Sequence, residues 1–129
     1  MDETTRSFVR QRAGDRCEYC LLQQQHSPLA RLQVEHVIPR KHGGGDETEN
    51  LALACIDCNL HKGSNLTGID PVTGEVTELF NPRRQIWMTH FRTRSAFIEG
   101  ITAVGRTTVR VLDMNAFDRV EHRLETVAP

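Results

Sequence analysis

The four cysteines of this 129-residue chain form two pairs with the same internal spacing, Cys17-Glu18-Tyr19-Cys20 and Cys55-Ile56-Asp57-Cys58, with thirty-four residues between the pairs. A CxxC turn lets two sulfurs converge on one tetrahedral centre, and a second such turn completes the shell, so the spacing predicts a four-cysteine zinc site. Four protein ligands close the coordination sphere, which makes this zinc structural and not catalytic. Paired disulfides are disfavoured in a reducing compartment, and a thioredoxin-like role asks for one CxxC at a helix start, not two matched ones. Four buried, unliganded cysteines are the remaining alternative.

Between and just after these knuckles lie Glu35-His36-Val37-Ile38-Pro39, then Gly43-Gly44, Asn50-Leu51 and Asn59-Leu60-His61-Lys62-Gly63. In this order and spacing, residues 17–65 resemble the HNH endonucleases, the ββα-metal nucleases. A later stretch, from Leu79-Phe80-Asn81-Pro82-Arg83 through Trp87 and His90-Phe91 to Gly105-Arg106, is similar to an extension found in some HNH proteins of bacteria and phages.

The resemblance implies a hydrolase of phosphodiester bonds, with DNA as the expected substrate. His36 would be the general base, a role that suits imidazole because its unperturbed pKa of about 6.5 lets the neutral ring take a proton near pH 7. Glu35 and Asn59 would hold one Mg²⁺ or Mn²⁺, cations that prefer oxygen ligands. Asn50 would brace the loop and orient the base. Asn59 stands where many members carry a second histidine, giving a His-Asn-Asn set. Arg40, Lys41 and Lys62 are the expected phosphate contacts, with Arg83-Arg84 a further basic pair. Taken one at a time, each residue has a plainer reading: His36 a core histidine, Glu35 a solvated strand residue, Asn50 a turn cap, Asn59 a helix-surface amide. The runner-up function is a catalytically inactive zinc-containing module that binds nucleic acid or protein on the same scaffold.

The elements that must position these groups can be sketched from periodicity. Residues 3–15 suggest a polar helix ended by Gly14-Asp15, and the Gln-rich stretch from Leu21 to Ala30 is a loop by composition. Leu32 to Val37 alternates as a strand stopped before Pro39, which would point Glu35 and His36 to opposite sides. A Gly-rich turn spans Arg40 to Glu49, a second strand runs from Asn50 to Ala54, and a helix from Ile56 to Lys62 stops at Gly63. Beyond Thr67, the apolar residues Val76, Leu79, Phe80, Ile86, Trp87, Met88 and Phe91 suggest short strands of an added sheet. Phe117, Val120, Leu124 and Val127 recur at helical spacing as the inner face of a docking helix, with Asp118, Arg119, Glu121 and Arg123 outside it. The expected fold is α+β: a ββα-metal core with zinc knuckles over residues 1–66, and a C-terminal extension over 67–129 packed on that core as one compact unit.

A hydrophobic fraction of 38% and a charged fraction of 26% fit a globular protein and exclude general disorder. The N-terminus opens on Met1-Asp2-Glu3 instead of a basic segment and an apolar run, so neither export nor membrane spanning is expected and the setting reads as cytoplasmic. The formal charge is −1, and four thiolates around Zn²⁺ take it to −3. Bulk attraction to a polyanion is therefore absent. Recognition would have to come from a localised arginine surface, a partner or a targeting subunit, and a homodimer would allow both strands to be cut.

Overall fold

The structure is a computed structural model that describes residues 1–127, and its fold is α+β. Two compact units make up the chain, the first Met1–Asn65 with Asn81–Arg84, the second Leu66–Phe80 with the chain from Gln85 onward.

In the first unit, helix α1 (Glu3–Arg12) starts at Asp2, whose carboxylate accepts the Thr5 N–H at 2.8 Å, an N-cap that satisfies one of the orphan donors of the first turn. Strands β1 (Gln33–His36) and β2 (Leu51–Ala54) pair antiparallel, with Gln33 opposite Ala54 and His36 opposite Leu51. Helix α2 (Ile56–Lys62) follows and ends at Gly63, whose φ of +50° few other residues adopt at low cost. Helix α1 packs on β1 and β2, and α2 packs on β1. All four residues of β2 are buried, which is why Leu51-Ala52-Leu53-Ala54 is a continuous apolar run and not an alternating one.

Two arginines of α1 tie the helix to the sheet. Arg10 donates to the Leu32 carbonyl at 2.7 Å, and Arg12 to the carbonyls of Thr48 at 2.9 Å and Leu51 at 2.6 Å. These bonds fasten α1 to the segments that lead into β1 and β2.

The second unit holds two separate hairpins in place of the single added sheet expected from the sequence: β3 (Thr67–Ile69) with β4 (Val76–Glu78), and β5 (Phe91–Arg94) with β6 (Phe97–Gly100). Trp87 and Met88, expected in a strand, lie in a single-turn helix, α3 (Trp87–His90), and Trp87 stacks on Phe91 with ring centroids 5.0 Å apart. Helix α4 (Ala103–Val111) has no counterpart in the sequence reading, because Gly105 and the β-branched Thr107, Thr108, Val109 and Val111 are weak helix formers. Its start is set by the Thr102 hydroxyl, which caps the Gly105 N–H at 3.1 Å.

Helix α5 (Phe117–Val127) corrects the expected inner face. Val120 is buried, but Phe117 is 82% and Leu124 55% exposed, while Arg119 is buried at 8%. Arg119 donates to the carbonyls of Leu112 and Asp113 at 2.7 and 3.0 Å, capping the end of α4, where carbonyls have no intrahelical partner. The side chain of Val127, assigned to the same face from sequence, lies outside the described residues.

Candidate functional site

The ligand sulfurs of Cys17, Cys20, Cys55 and Cys58 all lie within 4.8 Å of one another, and all four residues are buried. Cys20 Sγ and Cys55 Sγ are 3.6 Å apart, close to the edge of about 3.8 Å that a tetrahedron with 2.3 Å Zn–S arms requires. The four thiols are free of disulfides. Each knuckle aims a backbone N–H at its first sulfur, Cys20 N at Cys17 Sγ (3.5 Å) and Cys58 N at Cys55 Sγ (3.4 Å). Burial holds the Cys17 thiol well above its ordinary range, so a divalent cation is what would ionise it there. The cluster fits a zinc site. The first knuckle is a turn closed by Cys17 N to Leu22 O at 2.8 Å, and the second forms the start of α2 with Cys55 as its cap.

Strand β1 divides the other site residues between its two faces. On one face His36, with 19% of its side chain exposed, places Nε2 at 2.7 Å from Asp46 Oδ1. Arg40 grips the same carboxylate through Nη2 at 2.9 and 3.1 Å. The bond to His36, supported by Arg40, holds the Asp46 carboxyl below its ordinary value. An ionised carboxylate only accepts, so the short contact to Asp46 favours the imidazole proton on Nε2 and, in the neutral ring, a lone pair on Nδ1, over the longer 3.5 Å approach of Arg40 Nε to the same Nε2. Nδ1 has no hydrogen-bond partner among the described residues.

On the other face Glu35 is 6% exposed, and both carboxylate oxygens are engaged. Oε1 accepts from the Tyr19 hydroxyl, and Oε2 from Lys62 Nζ at 3.1 Å. Burial raises the Glu35 carboxyl above its ordinary value, with Lys62 and Tyr19 working against that rise. Burial also pushes the Tyr19 phenol well up, which keeps it a proton donor to Glu35. One strand step of two residues away, Gln33 Oε1 accepts from Asn59 Nδ2 at 2.6 Å. Gln33 and Glu35 share a face of β1, and Asn59 and Lys62 share a face of α2, so helix and strand meet through two polar rungs.

Asn50 is buried and continues the β1–β2 ladder past the end of the strands. Its carbonyl accepts Val37 N at 2.8 Å, its Oδ1 accepts Ile38 N at 2.9 Å, and its Nδ2 donates to the carbonyls of Ile38 (3.0 Å) and Gly45 (2.9 Å). The Gly-rich turn must come in close for this: a Cβ on Gly44 would sit 1.6 Å from the Ile38 oxygen.

The structure thus bonds Lys62 to Glu35, ties Asn59 to Gln33 instead of to Glu35, and leaves His36 on the opposite face of β1, with Arg40 beside it. Lys41 is exposed, and Lys62 is buried. Arg83 is engaged internally, bonded to Glu18 inside the first knuckle, whose other oxygen takes Leu53 N at 2.8 Å. Sequence reasoning missed Asp46 and Tyr19. Asp46 follows the glycine triplet with no periodicity to mark it; Tyr19 offered one signal, a large aromatic between two cysteines that are themselves expected to be buried.

Residues 17–65, somewhat under half of the chain, match the family model described as HNH endonuclease, and the four-cysteine cluster fits the zinc-binding form of that domain. Comparison with curated proteins and with solved structures gave no match. No helix among the described residues is long and apolar enough to cross a membrane.

Proposed function

We propose that the chain is a metal-dependent HNH endonuclease that hydrolyses phosphodiester bonds in DNA, with His36 as its general base. One observation carries this reading: the partly open His36 ring is held through Nε2 by Asp46, and its Nδ1 has no hydrogen-bond partner among the described residues. In the reaction, a water oxygen bonds to phosphorus, its proton passes to Nδ1, and the bond from phosphorus to the departing sugar oxygen breaks. Asn50 keeps the loop that carries Asp46 in register with β1. Lys41 and Arg40 lie near enough in sequence to His36 to meet backbone phosphates.

A divalent cation would neutralise charge building on the phosphate. Glu35 and Asn59 do not fit it as they stand, because both Glu35 oxygens are occupied, one of them by a cationic ammonium. The same observation favours a second reading, a zinc-stabilised nucleic-acid-binding module without cleavage.

The test is cleavage of supercoiled, linear, branched and single-stranded DNA, and of RNA, with Mg²⁺, Mn²⁺ or EDTA, beside His36→Ala. The expected result is cation-dependent nicking that EDTA stops and that His36→Ala lowers by about 10²–10⁴-fold, with zinc content and melting temperature unchanged. If no substrate is cut and His36→Ala binds DNA as the parent does, the binding-module reading replaces the nuclease.

A further inference from the structure

Lysine is among the residues least often buried, yet Lys62 is only 2% exposed. An ammonium has three N–H donors, and here each has an oxygen: Glu35 Oε2 at 3.1 Å, the His36 carbonyl at 3.1 Å and the Val37 carbonyl at 3.0 Å. None is left over for a phosphate. Two of these acceptors are consecutive peptide carbonyls at the point where β1 ends, and one belongs to His36 itself. The third, Glu35, is fixed in turn by the Tyr19 hydroxyl from the first zinc knuckle.

We propose that Lys62 is a positioning residue for His36: its ammonium, locked between the Glu35 carboxylate and the carbonyls of His36 and Val37, fixes the peptide from which the imidazole projects. Lys62 therefore acts through the backbone of β1 and does not touch the substrate. It also fills the place a divalent cation would need in order to reach Glu35, so this chain carries its own cation there. Charge-assisted bonds are the stronger class of hydrogen bond, and three of them on one rigid strand end define a direction for the ring on the other face. An error of about 1 Å in such a direction lowers rate by as much as about a hundredfold while leaving binding intact. The proposal rests on the nuclease reading for its catalytic consequence, but not for its structural one.

The test uses the full zinc-loaded chain, Lys62→Met, and the double variant Lys62→Met/Glu35→Gln, which also removes the carboxylate left without its cation. Three quantities are read: duplex DNA affinity against salt in EDTA concentrations too low to strip zinc, the ring ¹⁵N resonances of His36, and single-turnover cleavage. The proposal expects an unchanged salt slope and DNA affinity within about twofold, shifted or broadened His36 resonances, and cleavage lowered about ten- to a hundredfold. A salt slope reduced by about one with His36 resonances unchanged would place Lys62 on a phosphate and overturn it. Should Lys62→Met fail to fold, the double variant stands in its place; failure of both to fold also overturns it, leaving Lys62 a purely structural cation. If the parent itself cuts nothing, the nuclease reading fails, and the His36 resonances still decide whether Lys62 positions the ring.

Discussion

At the scale of single residues, the proposed chemistry turns on which nitrogen of His36 carries the proton. The Asp46 carboxylate, 2.7 Å from Nε2, favours the proton on that nitrogen, and Arg40 holds the carboxylate from its other side. Replacing Asp46 with Asn removes the charge and lets an amide N–H face Nε2, which favours the tautomer with its lone pair on the wrong nitrogen. Asp46→Asn is expected to lower single-turnover cleavage about ten- to a hundredfold, with DNA affinity unchanged; the effect stays below the ~10⁴ of a buried dyad because Asp46 is half exposed. Equal rates for Asp46→Asn and parent across pH 6 to 9 would remove Asp46 from the mechanism. The four cysteines are legible in sequence because their spacing is local and their residue type is chemically specific. Asp46 is not, because it meets His36 only after a glycine-rich turn whose path no periodicity records. Lys62 reads as a surface cation from its place in a helix with an exposed His61 beside it; its burial is decided by two carbonyls more than twenty residues earlier.

At the scale of elements, the core was readable and the second unit much less so, for a physical reason. The ββα segment has clear signals: alternation in β1, a Gly-rich turn, an apolar run in β2, and a helix with a glycine stop. The second unit is built on polar anchors whose partners are distant in sequence. Asp70 is the strongest case. Its carboxylate takes Val72 N at 3.1 Å, the Thr73 hydroxyl at 3.0 Å and a two-pronged grip from Arg106 of α4 at 3.0 and 2.8 Å, so one side chain shapes the β3–β4 turn and fastens it to a helix. Arg106, followed by these turn bonds, holds the Asp70 carboxyl far below its ordinary 3.8. A carboxyl whose folded pKa is depressed binds more protons when unfolded, so its contribution is fully present above about pH 4 and fades as pH falls further toward the folded value. Melting temperature measured from pH 7 to pH 2 should therefore drop on the acid side, and Asp70→Asn should start lower at pH 7 and show a flatter acid limb. Parallel acid limbs for parent and variant would show that Asp70 is not the group being lost.

At the scale of the whole molecule, a formal charge of −1 hides how the arginines are used. Arg10, Arg12, Arg83, Arg106, Arg119 and Arg123 donate to the chain's own carbonyls or carboxylates, so they serve as structural clamps in a protein with only two lysines. Arg40 is likewise engaged by Asp46, so attraction to a polyanion is left to exposed groups such as Lys41 and Arg84, both in the first unit. The integrity of that unit rests on the cysteine cluster. Structural zinc contributes an apparent binding energy of about 10–16 kcal/mol in small zinc modules, as large as the whole stability of about 5–15 kcal/mol typical of a domain. Without the cation, four thiols would be buried with nothing to organise them, and Glu18 and Tyr19 would lose the turn that aims them at Arg83 and Glu35. Removing zinc with a strong chelator should therefore unfold the first unit as a block. Hydrogen exchange followed by mass spectrometry should show protection lost across Met1–Asn65 and also at Asn81–Arg84, which belongs to the same unit through the Arg83–Glu18 pair, while α4 and the β5–β6 hairpin keep theirs. Loss confined to the two knuckles, with β1 and β2 still protected, would mean that the β1–β2–α2 core holds without its metal.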